Sequence, residues 1–109
     1  MDKLEKLIQM QRDLASALAS PRYPSKTEER ISFLCTAITH EAIELQRLTN
    51  WKWWKNPTEF DSEKAKEELI DIWHFLLQAT IELNMTPDDL LKYYSKKNKI
   101  NKKRKKMNY

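Results

Sequence analysis

The chain has no glycine in any of its 109 residues, and this absence limits its possible folds more than any other feature. Phosphate-binding loops of the Rossmann and P-loop types need glycine where the backbone approaches phosphate. Tight β-hairpin turns also favour glycine. The four prolines lie between Pro21 and Pro87, which leaves room for long helices. The sequence therefore predicts an all-α protein.

Apolar residues recur at helical spacing in four segments of the chain. We expect helices over about 2–19, 25–50 and 61–83, and a fourth helix from residue 86. Ser25 and Glu28 have the spacing of a capping box at the start of the second helix. Because 109 residues suggest one domain, residues 1–109 are expected to form a single four- to five-helix bundle.

Charge divides the chain into an acidic body and a basic end. Residues 1–91 contain 11 Lys/Arg and 16 Asp/Glu, a balance of −5, whereas residues 92–109 contain 9 Lys/Arg and no acid. A uniform nucleic-acid-binding surface would be basic throughout. From charge alone, residues 96–109 are either a frayed helix or an extended tail, and such a run is more often solvated than functional.

Cysteine usage and hydropathy bear on where the protein works. Cys35 is the only cysteine, so no disulfide can form within the chain and no cysteine metal cluster is possible. We expect its thiol to be buried on the second helix. The sequence shows neither a signal peptide nor an apolar run that would span a bilayer. A cytoplasmic protein without a membrane partner is expected.

Four carboxylates occur as two helical pairs on stripes that are expected to face inward. Glu41 and Glu44 lie three residues apart, as do Glu68 and Asp71, so each pair projects from one face of its helix. Buried carboxylates need cations or protons, and Mg²⁺ prefers such oxygens together with substrate phosphates. The spacing is also typical of a solvated charged face, and Glu67 offers Asp71 an alternative partner.

The residues resemble the dimeric, all-α dUTPases, which belong to the all-α NTP pyrophosphohydrolase superfamily together with the MazG-type enzymes. Five segments carry the resemblance in the order in which they occur: Gln11-Arg-Asp-Leu14, Glu41-x-x-Glu44, Trp51-Lys52-Trp53-Trp54-Lys55, Glu68-Leu-Ile-Asp71-Ile-Trp-His74-Phe75 and Lys97-Asn98-x-x-Asn101-x-x-Arg104-x-x-x-Asn108-Tyr109. The resemblance implies a homodimer whose two sites are completed near the subunit interface.

The resemblance also implies a role for each matching residue. The metal ligands for two or three Mg²⁺ ions would be Glu41, Glu44, Glu68 and Asp71, with Glu41 or Glu44 as the general base. The phosphate chain would be held by Lys97, Arg104 and Tyr109, in a basic tail over residues 96–109. The nucleoside would be held by Gln11, Trp54, Asn98 and Asn101. His74 is expected to be a packed, hydrogen-bonded side chain, because the metal ligands are hard oxygens.

The expected activity is therefore Mg²⁺-dependent hydrolysis of dUTP, and also of dUDP, which would limit uracil in DNA. A dCTP-specific or broad NTP pyrophosphatase is the nearest alternative. A second alternative is a non-enzymatic helical protein that binds nucleic acid through its basic end, which predicts salt-dependent binding and no need for the four acids. A bundle that binds metal only for structure is the third.

Overall fold

Four helices make up the part of the chain that the computed structural model describes, residues 2–107. They are α1 (Lys3–Ala17), α2 (Thr27–Gln46), α3 (Ser62–Glu82) and α4 (Pro87–Lys106). No strand occurs within these residues. The all-α prediction is confirmed, with four helices and no fifth over residues 2–107. The basic segment is helical as far as Lys106 rather than extended.

A side-chain cap is present at the N-terminus of three of the four helices, α1, α3 and α4. The Asp2 carboxylate accepts a hydrogen bond from the Glu5 amide at 2.8 Å, and the Asp61 carboxylate accepts one from the Lys64 amide at 3.1 Å. At α4, Thr86 Oγ1 accepts from the Asp89 amide at 3.1 Å, and the Asp89 carboxylate accepts from the Thr86 amide. Each cap satisfies backbone donors that the first helical turn leaves free.

The predicted capping box at the start of α2 is wrong. The helix begins at Thr27, and Lys26 stands at the N-cap with an extended backbone and no side-chain cap bond. The Arg30 guanidinium donates instead to the Pro24 carbonyl. This contact joins the first turns of α2 to the segment before it, where residues 24–26 lie outside the helix.

The end of α3 shows how a chain without glycine turns out of a helix. Asn84 has a φ of 56°, in the left-handed region where glycine is usual and asparagine is tolerated. Its amide donates to the Ile81 carbonyl at 2.9 Å, and the Met85 amide donates to the Thr80 carbonyl at 3.1 Å. These two bonds form a Schellman motif, which ends α3 at Glu82, and four residues then separate it from α4.

Helix α3 is the centre of the bundle, because it packs against both α1 and α2. The buried apolar residues are Ile8, Leu34 and Leu77, one from each of these three helices. Arg30 pairs with Glu82, and Glu41 lies beside Asp71. The earlier residue on α2 thus meets the later residue on α3, which shows that the two helices run antiparallel. Helix α4 has no comparable packing and no buried residue.

The single chain is more open than a compact protein of its size. Its radius of gyration is 17.3 Å, against about 13 Å expected for a compact domain of this length. Its accessible surface is 9507 Å², against about 6400 Å² for a folded monomer of this mass. Large exposed apolar side chains occur on every helix, including Met10, Phe33, Trp73 and Tyr94. One copy leaves much apolar surface in water.

Two expectations about the surface are also tested. Cys35 is exposed, so the prediction of a buried thiol is wrong. It follows the buried Leu34 on α2, and one step along a helix turns a side chain about 100° away from its neighbour. Among the described residues, no helix combines the length and the apolar character needed to cross a membrane.

Candidate active site

Three of the four predicted acids converge between α2 and α3. Glu41, Glu68 and Asp71 each offer a carboxylate oxygen, and these oxygens lie within 4.8 Å of one another. Glu41 and Glu68 are half-buried and Asp71 is exposed. The antiparallel packing of α2 on α3 brings the pairs together, because Glu41 and Asp71 occupy matching levels of the two helices. The relative position of two residues along two packed helices cannot be predicted from the sequence alone.

The proximity of these acids alters the acid–base behaviour of Glu41. Partial burial raises the pKa of the Glu41 carboxyl above its ordinary value, and the negative charges of Asp71, Glu68 and Glu44 raise it further. His40 acts in the opposite direction. Like charges at this distance disfavour ionisation, so the cluster is suited to a bound cation. Three carboxylates in one place form a set of hard oxygen ligands.

The fourth predicted acid, Glu44, lies outside this group of three. Its carboxylate is exposed and lies 3.7 Å from the Arg47 guanidinium on the next turn of the same helix. It is close enough for its charge to raise the pKa of Glu41. Glu44 therefore borders the cluster, and its carboxylate is not one of the three that converge.

A pocket of about 790 Å³ opens beside the acids, between α1, α2, α3 and residues 18–24. Glu41 and Asp71 line one side of it. The rest of the lining is largely apolar, with Leu14, Phe33 and Phe75 among the residues that contribute. Ligand pockets commonly have this size and this mixture of apolar walls with a few polar groups. A ligand in this pocket would contact the carboxylates at one end.

Gln11 lines the pocket. The resemblance implies that this residue contacts the nucleoside. It is buried, its Oε1 lies 2.9 Å from His74 Nδ1, and its Nε2 donates to Gln78 Oε1 at 3.1 Å. The expectation that His74 is hydrogen-bonded is confirmed, but the residue is exposed, so the expectation that it is packed is wrong. Sequence analysis missed Gln78 as a lining residue. The signal was its position seven residues after Asp71, on the same face of α3.

The other described residues with predicted nucleoside or phosphate roles do not line the pocket of the single chain. Trp54 is 57% exposed and makes edge-to-face contacts with Trp51 and Trp53, with ring centroids 5.9 and 5.4 Å apart. The α4 residues with predicted roles are exposed, and none of them lines the pocket within residues 2–107. They are Lys97, Asn98, Asn101 and Arg104. Tyr109 lies outside the described residues.

Comparison with known proteins tests the resemblance. A family model described as dUTPase matches residues 3–88, which include the acids on α2 and α3 and the pocket glutamine on α1. The match ends near the start of α4, so the basic part of that helix lies beyond it. No curated protein and no solved structure gave a significant match. The chain belongs to the dUTPase family, and its activity is the hydrolysis of dUTP.

Proposed function

We propose that the chain hydrolyses dUTP to dUMP and pyrophosphate with Mg²⁺, that it also accepts dUDP, and that it thereby limits uracil in DNA. The observation that supports this most directly is that three carboxylates converge and that two of them, those of Glu41 and Asp71, line a nucleotide-sized pocket. We also propose that it belongs to the all-α NTP pyrophosphohydrolase superfamily with the MazG-type enzymes. A cytoplasmic location is part of the same proposal.

The cluster fits a divalent metal by the chemistry of its donors. Its ligand atoms are carboxylate oxygens within 4.8 Å of one another, and burial together with the neighbouring negative charges raises the pKa of Glu41. In this proposal Glu41, Glu68 and Asp71 hold Mg²⁺, with Glu44 completing a site for two or three ions. Mg²⁺ supplies charge neutralisation for the phosphate chain and makes water more acidic.

The protein's own groups then act on water and substrate. Glu41 or Glu44 takes the proton of the attacking water as the general base, and the anhydride bond between the α- and β-phosphorus breaks. The exposed position of Glu44 beside the cluster favours it for this role, because its carboxylate is not among the three that converge. Gln11 contacts the base edge, since it is a buried amide that lines the pocket. Trp54 packs against the base.

We infer that the active form is a homodimer in which α4 of one copy reaches the pocket of the other. The single chain exposes apolar side chains on every helix, and its α4 packs much less on the bundle than the other three helices do. Its Lys97 and Arg104 do not line its own pocket. In this arrangement they hold the phosphate chain with Tyr109, and Asn98 and Asn101 face the sugar. Cationic donors there would stabilise charge developing on the phosphates.

The first experiment is pyrophosphate release from dUTP with and without Mg²⁺, beside dCTP, dTTP, dATP and UTP. Phosphate release from dUDP is measured in parallel. We expect rapid Mg²⁺-dependent release from dUTP and little from the others. Similar rates for dCTP or several nucleotides would make the enzyme a broader pyrophosphatase, and equal rates with the metal chelated would contradict the role of Mg²⁺.

A further inference from the structure

A chain of hydrogen-bonded side chains leads from the pocket to the far end of α3. His74 Nδ1 and Gln11 Oε1 lie 2.9 Å apart, and Gln11 Nε2 donates to Gln78 Oε1 at 3.1 Å. Gln78 Nε2 in turn donates to Glu82 Oε1 at 2.8 Å. Gln11 and Gln78 are both buried, and no buried polar side-chain atom among the described residues lacks a partner.

Glu82 is held firmly at the end of this chain. Its side chain is 9% exposed, and its carboxylate accepts hydrogen bonds from Arg30 at 3.0 Å and from the Tyr23 hydroxyl at 3.2 Å. The guanidinium of Arg30 also lies over the Tyr23 ring, 4.7 Å from its centroid. Partial burial raises the pKa of Glu82, but hydrogen bonds from Arg30 and Gln78 outweigh this and lower it overall. Glu82 is therefore ionised at neutral pH.

An ionised carboxylate sets the direction of every bond in the chain, because it can only accept. Gln78 must turn its NH₂ group towards Glu82, so its carbonyl faces Gln11. Gln11 must then donate through its NH₂ group, which turns its own carbonyl towards the ring of His74. His74 must donate from Nδ1 in response. The orientation of each amide thus follows from the chemistry of Glu82. Reversal of Gln78 would place two NH₂ groups face to face, and reversal of Gln11 would place two carbonyl oxygens face to face, so either reversal would leave buried polar groups unpaired.

This orientation matters for the choice of base, in an argument that rests on the proposed function. After these bonds, Gln11 keeps one N–H donor and one acceptor lone pair for a ligand. On the edge that would face such an amide, uracil presents a ring N–H donor beside a carbonyl acceptor. Cytosine presents the reverse, a ring nitrogen acceptor beside an amino donor. An amide free to rotate by half a turn could match both patterns, whereas a fixed one matches only one.

We propose that Gln78 and Glu82 are positioning residues that fix the amide of Gln11, so that the pocket accepts one pyrimidine and rejects the other. Neither residue needs to touch the substrate's phosphates, and both lie on α3 beyond the acidic cluster. Arg30 and Tyr23 support the same orientation through the Glu82 carboxylate. Sites that use a fixed hydrogen-bonding group discriminate strongly, since the wrong ligand leaves a buried polar group unpaired.

The test compares Glu82→Gln with Glu67→Gln, an equal loss of charge at an exposed position on the same helix. Glutamine keeps the shape of Glu82 but can donate as well as accept, so the chain loses its fixed direction. We expect the ratio of kcat/KM for dUTP to that for dCTP to fall about tenfold in Glu82→Gln, the effect of one lost hydrogen-bonding distinction, and to be unchanged in Glu67→Gln. An equal loss for both nucleotides would overturn the proposal.

Tyr23→Phe provides a second, milder variant if Glu82→Gln does not fold. It removes one of the donors that hold Glu82 and leaves the amide chain otherwise intact. We expect the dUTP to dCTP ratio to fall about threefold, because a single hydrogen bond to a charged group is lost at the edge of the chain. An unchanged ratio in a folded Tyr23→Phe protein would count against the role of Glu82.

A measurement on the unliganded protein separates this inference from the proposed function. Nitrogen-15 NMR of the His74 ring reports which ring nitrogen carries the proton. We expect protonated Nδ1 in the wild type and a mixture of both forms in Glu82→Gln. Protonated Nε2 in the wild type would overturn the inference whatever the enzyme hydrolyses. Protonated Nδ1 in a protein that does not cleave dUTP would support the amide chain and refute the proposed function.

Discussion

At the scale of single residues, the site depends on charges that the fold forces together. Glu41 is partly buried and faces Glu68 and Asp71, and its pKa is raised as a result. Without a cation, this cluster opposes folding, because ionised groups are held closer than they would be in the unfolded chain. The same repulsion provides affinity for a divalent ion. Function and stability therefore conflict at these positions, as is common at active sites.

Glu41→Gln should abolish turnover and yet stabilise the metal-free protein. We expect kcat to fall at least about a hundredfold, as when a positioned acid–base group or its metal is lost. We also expect a higher Tm in chelator than the wild type, since one repelling charge is gone. Added Mg²⁺ should raise the Tm of the wild type and not of the variant. Asp71→Asn should behave in the same way.

Glu67→Gln is the matched control for this experiment, since Glu67 adjoins Glu68 but is exposed and outside the cluster. Its kcat and its response to Mg²⁺ should equal those of the wild type. Full activity in both Glu41→Gln and Asp71→Asn would contradict the metal assignment. Loss of activity in Glu67→Gln would mean that the alternative pair of Glu67 with Asp71 is the one that matters.

Asn84 makes a second prediction at the residue scale. Its φ of 56° is costly for a residue with a Cβ that cannot bond locally, so Asn84→Ala should lower the free energy of unfolding by about 1 kcal/mol. Asn84→Gly should leave it unchanged or raise it, since glycine is the usual residue at this position. Urea denaturation with both variants checks this. Equal stability of Asn84→Ala and wild type would exclude the left-handed turn.

At the scale of the helices, α4 differs from the other three. Its first turn is well defined by Thr86, Pro87 and Asp89, but its remaining length is exposed and its cations occupy several faces. Lys97 and Arg104 lie seven residues apart, which places them on one stripe. Lys96 and Lys103 have the same spacing on the adjacent stripe, about 100° round the helix. The helix thus contains an internal control for the role of its charge.

The double variant Lys97→Ala/Arg104→Ala should lower kcat/KM for dUTP about tenfold to a hundredfold, because it removes cations that contact phosphate charge. Lys96→Ala/Lys103→Ala removes the same net charge and should change kcat/KM by less than about threefold, the effect of weakened long-range attraction at physiological salt. Equal losses in the two double variants would show that only the total charge of α4 matters.

At the scale of the whole molecule, the openness of one copy is the dominant feature. The radius of gyration is 17.3 Å, α4 is only weakly packed, and the residues proposed to bind the phosphates do not line the pocket among the described residues. A second copy can cover the exposed apolar faces and supply α4. A twofold dimer does both at once, since each copy receives what it donates.

Mixing two inactive variants tests whether α4 serves the neighbouring site. One subunit carries Glu41→Gln, and the other carries Lys97→Ala/Arg104→Ala. If α4 crosses to the partner, each mixed dimer contains one intact site, and random exchange should restore about a quarter of wild-type activity. If α4 serves its own pocket, or if the protein is a monomer by sedimentation, mixing should restore nothing beyond the residual activity of the parents.

Much of the architecture could be predicted from local sequence, because helix starts, turns and apolar spacing are short-range properties. The caps at Thr86 and Asp61 and the four-helix, all-α class follow from such signals. Two wrong predictions, the capping box of α2 and the burial of Cys35, have a common physical reason. Arg30, in the first turns of α2, contacts Pro24 and also pairs with the distant Glu82 on α3, and the exposure of Cys35 depends on which side of α2 faces α3. Neither the pairing with Glu82 nor the exposure of Cys35 can be derived from the residues near each position.

The site divides in the same way between sequence and tertiary structure. The sequence alone determined which helices carry the acids, because three-residue spacing places two carboxylates on one helix face. Only the antiparallel packing of α2 on α3 decided that Glu41, Glu68 and Asp71 meet while Glu44 stays beside them, because that depends on the relative level of two helices. It also decided that Gln11 meets His74 and Gln78, residues more than sixty positions away, since such contacts exist only once the helices have packed.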